Sequence, residues 1–128
     1  MRRRRFVPAA ALAALVLVGC ARAGPPPDSG VTGIVRVGPM CPVVQEGVDC
    51  PDSPLEADLE VRDAAGTVIA RGRSGADGSY RIALPAGMYV LHPLSPSEAG
   101  LPFASPIPFE VQEGAWVELD VQYDSGIR

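Results

Sequence analysis

From Val31 to Tyr123 the chain repeats one device, a short run of alternating apolar and polar side chains closed by Gly, Pro, Asp or Ser. Alternation with period two puts successive side chains on opposite faces of an extended strand, and no stretch sustains the i, i+3, i+4, i+7 apolar spacing of a helix. The runs therefore read as strands and the punctuation as turns. Gly and Pro supply 14 residues each of 128, which makes turns frequent, while an apolar share of 47% is too high for a disordered chain. The length allows one modest domain with appendages, not a multidomain enzyme.

Residues 31–37 open the domain, and 57–62 follow with Ala57, Leu59 and Val61 on the inner face. Runs 68–73 and 79–84 flank Asp77-Gly78, a pair suited to the positive φ of a tight turn, and Tyr80, Ile82 and Leu84 alternate inward. Run 88–92 stops at Pro93, and run 107–111 contains Pro108, which cannot donate to a ladder and so marks a sheet edge. Residues 95–106 hold three prolines without alternation and read as a bridge between sheets. The last run, 116–123, alternates unbroken with Val117, Leu119, Val121 and Tyr123 inward. Seven strands at intervals of about ten residues predict an all-β fold, a two-sheet Greek-key sandwich.

The succession Leu59-Glu60-Val61-Arg62, a turn at Gly66, Val68-Ile69-Ala70, Asp77-Gly78, Tyr80-Arg81-Ile82 and Leu84-Pro85-Ala86-Gly87-Met88-Tyr89 resembles the carboxypeptidase regulatory-like domain, a transthyretin-like β-sandwich. The resemblance covers most of 31–123 and implies an accessory, adhesive or structural unit rather than a catalyst. The chain departs from the pattern by inserting 38–54 between the first two strands. Hydroxyisourate hydrolases share the transthyretin-like fold but use several His and Arg residues and a Tyr-Arg-Gly-Ser type C-terminus. This chain has one His and ends Tyr123-Asp124-Ser125-Gly126-Ile127-Arg128, so that activity is not expected.

The head is a cationic start, Arg2 to Arg5, followed by an apolar stretch from Val7 to Gly19. Such a stretch is an export signal, shorter than the roughly 20 residues that cross a bilayer. It ends in Leu17-Val18-Gly19-Cys20, which resembles the lipobox of bacterial lipoproteins. That resemblance implies cleavage before Cys20 and a diacylglycerol on its sulfur. At about 0.8 kcal/mol per buried CH₂, two or three acyl chains hold a protein at a membrane where one does not. The alternative is a secreted chain cut at Ala21-Arg22-Ala23. Arg3-Arg4-Arg5-Phe6 also resembles the twin-arginine motif, which leaves the export route open.

The organisation expected is a signal peptide over 1–19, a lipidated Cys20 and tether over 20–30, the sandwich over 31–124 and a tail over 125–128. The tether, rich in Gly and Pro, reaches about 30 Å at roughly 3.1 Å per residue.

All 11 basic residues are Arg, four of them in the head, so the rest carries 7 Arg against 15 acidic residues, a net charge of −8. Such a surface repels nucleic acid and anionic headgroups. The expected partners are the membrane, through the lipid on Cys20, and an envelope protein or polysaccharide. No nucleic acid and no cofactor are expected.

Behind an export signal, the two remaining cysteines, Cys41 and Cys50, predict a disulfide that leaves Cys20 for the lipid. Closing that loop stabilises the fold by about 2.7 kcal/mol in the chain-entropy treatment. A metal alternative lacks a second pair, and the lone His92 is far along the chain. Asp49, Asp52, Glu56 and Asp58 do not have EF-hand spacing and read as solvated.

Catalytic patterns fail one by one. A nucleophile triad needs a His beside Ser or Cys, and His92 at a strand end reads as structural. Gly72-Arg73-Ser74-Gly75-Ala76 lacks the final Gly of a nucleophile elbow. No phosphate-binding glycine loop is present, and the chain contains no Lys. Two surface features remain as a candidate binding surface. Trp116 faces away from the core set, as a platform for a sugar or partner, as a cover for a sheet end, or packed under a loop such as 95–106. Arg71, Arg73 and Arg81 are expected to be cross-strand neighbours around the Asp77-Gly78 turn, paired with Glu60 or Asp58 or open to an acidic ligand.

Overall fold

The structure is a computed structural model that describes residues 27–43 and 46–128. Cys20, the export head and most of the tether lie outside the described residues. Nine strands follow one another: β1 (Gly30–Gly38), β2 (Ser53–Pro54), β3 (Asp58–Arg62), β4 (Val68–Arg73), β5 (Ser79–Ala83), β6 (Gly87–Pro93), β7 (Ile107–Val111), β8 (Trp116–Glu118) and β9 (Val121–Asp124). They form two sheets, and the protein is an all-β sandwich.

β1 is the centre of the first sheet. β5 and then β2 pair antiparallel along one flank, while β8 and then β9 pair parallel along the other. The second sheet is antiparallel in the order β4-β3-β6-β7, with the Pro108 strand at its edge as predicted. The chain passes between sheets after β2, β4, β5 and β7, so most contacts join residues distant in sequence.

Alternation sorted the inner face correctly. Ala57, Leu59, Val61, Tyr80, Ile82, Leu84, Val121 and Tyr123 are buried, with Val31, Val35, Leu91, Phe109 and Val111 filling the space between the sheets. Val117 and Leu119 pack against this cluster at its margin. Each tyrosine spans the core and bonds a backbone carbonyl at the periphery: Tyr80 to Leu119, Tyr89 to Pro85 and Tyr123 to Leu94. An aromatic ring thus fills the interior while its hydroxyl satisfies a carbonyl that the sheets leave over.

Four features depart from the sequence reading. The run 116–123 is not one strand but two, β8 and β9, broken at Leu119-Asp120. The Asp120 carboxylate accepts the Ile34 N–H at 2.9 Å in place of a ladder carbonyl, and Tyr80 donates to the Leu119 carbonyl. Leu119 O presses on Gly33, where any Cβ would collide with it, so the break requires glycine there. Second, the inserted loop contributes β2 beside Arg36 and Val37. Third, the fold begins before residue 31. Gly30 opens β1, and Ser29 is buried with its hydroxyl donating to Leu84 O at 2.6 Å. Fourth, residues 125–128 are docked rather than a loose tail, since Ser125 donates to the carbonyls of Gly38 and Pro39.

Strand directions sort the connections into two ends. Turns 63–67, 84–86 and 112–115 gather where the chain enters at residue 27. Connections 39–52, 74–78 and 94–106, with residues 125–128, gather at the other end, about 30 Å away along the nine residues of β1.

Candidate functional site

The four residues read as one binding surface lie on opposite faces of the sandwich. Arg71 and Arg73 project from the outer face of β4 in the second sheet, whereas Arg81 projects from β5 in the first. The expectation of a single arginine stripe is corrected by this wiring: the Asp77-Gly78 turn carries the chain from one sheet to the other, so β4 and β5 are not paired.

On the first sheet the Arg81 guanidinium lies 3.5 Å from the centre of the Trp116 ring. The indole crosses Gly30, the residue opposite Trp116 on β1, and a side chain at Gly30 would strike it. Trp116 is half-buried beneath this cation rather than beneath 95–106, and its face is occupied by the protein's own arginine. An open depression of about 230 Å³ beside it is lined by Glu110, Gln112 and Val117.

On the second sheet each arginine meets the expected acids. Arg73 bonds Asp58 at 3.0 Å and approaches Glu56 at 3.9 Å. Arg71 stands 3.7 Å from Glu60, which Arg62 also bonds at 3.0 Å. Charge is thus spent on neighbours, and exposed pairs of this kind contribute at most about 1 kcal/mol each.

His92 sits opposite Glu60 on β6. Ser74 is buried, donating to Leu55 O at 2.5 Å and accepting the Ala57 N–H at 2.8 Å, so its hydroxyl is committed to the backbone. The acidic residues in and after the insert disperse: Glu56 and Asp58 turn to Arg73, and Asp52 accepts Gln122 Nε2 at 2.9 Å. No group of three metal-ligating side chains occurs among the described residues.

Cys41 and Cys50 are bonded to one another. Their loop leaves β1 at the end remote from residue 27, where Ser125 holds Pro39 and Asp52 lies against Gly38. At the same end the Arg128 guanidinium and the Gly126 N–H hold the Asp124 carboxyl down at about 2. Burial, and secondarily the charge of Asp58, pushes Tyr123 up to about 12. Burial raises Tyr80 further, with Asp120 adding to it. Val43, Val48, Leu101 and Phe103 at this end are exposed, and no compositional signal marked 94–106 as a neighbour of the disulfide loop.

No protein-family model matches the sequence, and no curated protein matches it. Solved structures do match. The chain is similar to the major pilin subunit of Bacillus cereus, at 15% identity and TM-score 0.57 over 77% of this chain and 30% of that one. It is similar to a minor pilin of Streptococcus agalactiae, at 13% identity and TM-score 0.55 over 78% of this chain and 46% of that one. The shaft pilin of Lactobacillus rhamnosus GG matches at 15% identity and TM-score 0.54, over 73% and 48%. The chain therefore spans less than half of each of these proteins, and at such identities the likeness is one of fold.

Proposed function

We propose that the protein is a non-catalytic binding or structural module of the cell envelope, carried outside the cytosol and tied to a membrane by lipid on Cys20. The observation that carries this reading is the fold, a sandwich shared with pilins, which are structural proteins of the cell surface. The export head and the lipobox-like Leu17 to Cys20 support the anchor, and the disulfide agrees with an oxidising compartment. Within the sandwich class, the order of turns around Asp77-Gly78 and Pro85-Ala86-Gly87 favours kinship with carboxypeptidase regulatory-like domains. The experiment is fractionation of cells producing the full chain or its Cys20→Ser variant. The full chain is expected in the membrane fraction, released by detergent, and the variant in the soluble fraction. A soluble wild-type chain would contradict the anchor.

A second reading, an inhibitor or accessory subunit of an envelope enzyme, is favoured by the placement of the Cys41 to Cys50 loop at an end of the sandwich with Val43 and Val48 exposed. Replacing both cysteines by Ser separates the two. A purely structural module only loses stability, whereas an inhibitor loses its activity as well.

A further inference from the structure

Of the eight large apolar side chains exposed among the described residues, six lie at the loop end: Met40, Val43, Val48, Leu94, Leu101 and Phe103. Scattered exposed apolar residues need no explanation, but a concentration on one end does. The root of the disulfide loop and the segment of Leu101 and Phe103 share a support. Asp124 to Gly126 form a ridge whose one flank is fixed to Gly38 and Pro39, the root of the disulfide loop, through Ser125. On the other flank Phe103 exchanges both backbone bonds with Asp124, at 3.0 and 2.7 Å, and a Cβ at Gly126 would fall 2.6 Å from Leu101. Along this ridge the bonds of Phe103 and Ser125 leave little ordering to be done on binding.

The long connections that carry the patch bear an excess of negative charge. No Lys or Arg occurs between Val37 and Val61 or from Ile82 to Ile127, whereas Glu46, Asp49, Asp52 and Glu98 are exposed on these same loops. The arginines nearest this end are each paired internally: Arg128 with Asp124 at 2.8 Å, Arg73 with Asp58 at 3.0 Å and Arg36 with Asp120 at 3.7 Å. An acidic rim repels anionic lipid headgroups and also repels the same face of a second copy.

We propose that the loop end is a docking surface for a protein whose contact patch is apolar at its centre and rich in Lys or Arg at its rim. This rests on the reading of the chain as a binding module; the patch lies at the end of the sandwich remote from residue 27, at which the tether to Cys20 enters. Photoreactive benzoylphenylalanine is placed in the full chain at Phe103, at Val48, or at the control position Ser79, which is exposed on the first sheet. After irradiation of intact cells, adducts are mapped by mass spectrometry.

The expected result is adducts at positions 103 and 48, not 79, to one other protein, on peptides where Lys or Arg adjoins apolar residues. Yield from position 48 is expected to fall at least tenfold with Leu101→Ser plus Phe103→Ser, and separately with Glu46→Arg plus Glu98→Arg. Both pairs replace exposed side chains, and the Phe103 to Asp124 bonds are made by backbone, so the fold survives. The charge-reversed pair tests the rim independently of the apolar centre. Equal yields at all three positions, adducts to lipid or to a second copy, or a partner surface rich in Asp and Glu would each overturn the proposal. Fractionation of the same cells keeps the two ideas apart. A soluble chain with patch-specific adducts defeats only the anchor, and an anchored chain without them defeats only the docking surface.

Discussion

The two ends of the sandwich are built on different principles. At the entry end the strands are joined by tight turns, and the closing contacts are short-range or buried. Asp63 accepts the N–H groups of Ala65 and Thr67, Tyr89 bonds Pro85, and Ser29 and Leu84 exchange a hydroxyl bond and a backbone bond. At the loop end 74–78 is a tight turn, but connections 39–52 and 94–106 are long and their anchors are few: one disulfide, the Phe103 to Asp124 bridge, Ser125 on Pro39 and Tyr123 on Leu94. An end stitched by turns stays ordered with the sheets it joins. An end held by isolated cross-links can carry exposed apolar side chains without collapsing them into the core, and surfaces that bind are commonly built in this way on a rigid scaffold.

The largest break in this comparison is expected from Gly33→Val, which strikes at the strand interruption that serves both ends. The added side chain meets backbone at Leu119, so a loss at or above the usual overpacking range of about 1–3 kcal/mol is expected in denaturant unfolding. Next is Cys41→Ser with Cys50→Ser, expected to cost about 2–3 kcal/mol. In hydrogen exchange the loss of protection should concentrate in 38–52 and 124–126, leaving 79–90 as before. A uniform loss would mean that the ends are not independent.

Ser29→Ala is the converse. It removes a buried hydroxyl bond and should cost about 1–2 kcal/mol, with exchange rising around Leu84 and not at the disulfide loop. Arg81→Ala is smaller, about 0.5–1 kcal/mol, and is read most cleanly as a change in Trp116 fluorescence with the melting temperature nearly kept.

Titration sharpens the comparison further. Asp124 has a folded-state pKa held below its ordinary 3.8, at about 2, so its contribution is present above pH 4 and is lost as pH falls through about 2. Asp124→Asn should flatten that acid slope. Tyr123, raised from 10 to about 12, works in the opposite sense. The native state keeps the proton longer, so stability is full below pH 10 and declines as pH climbs toward 12. Tyr123→Phe should weaken that alkaline decline.

Much of this architecture was legible from residue order because strand alternation is a local property. The inward placement of Leu59 and Val61, or of Ile82 and Leu84, needs no knowledge of the partner strand. The edge position of Pro108 followed from its missing N–H. What escaped were effects of pairing. The break at Leu119-Asp120 is invisible in a run that alternates cleanly through it, because its cause is Ile34, 86 residues earlier in the chain. Arg81 was grouped with Arg71 and Arg73 because a tight turn between strands reads as a hairpin, whereas here it crosses between sheets. Ser29 looked like tether because nothing in Pro26-Pro27-Asp28-Ser29 announces a hydroxyl that will meet Leu84. The candidate docking end was half legible: the disulfide loop stood out by its cysteines, but the ridge Asp124 to Gly126 that stands between its root and Leu101-Phe103 exists only once β9 has paired with β1.

Mass spectrometry of the intact mature protein bears most directly on the account, because it reads the attachment on which the proposed function rests. The predicted result is a chain whose first residue is Cys20, heavier than its sequence by a diacylglyceryl group, with Cys41 and Cys50 oxidised. A mature chain that starts beyond Cys20, or one that retains it as an unmodified thiol, would contradict it.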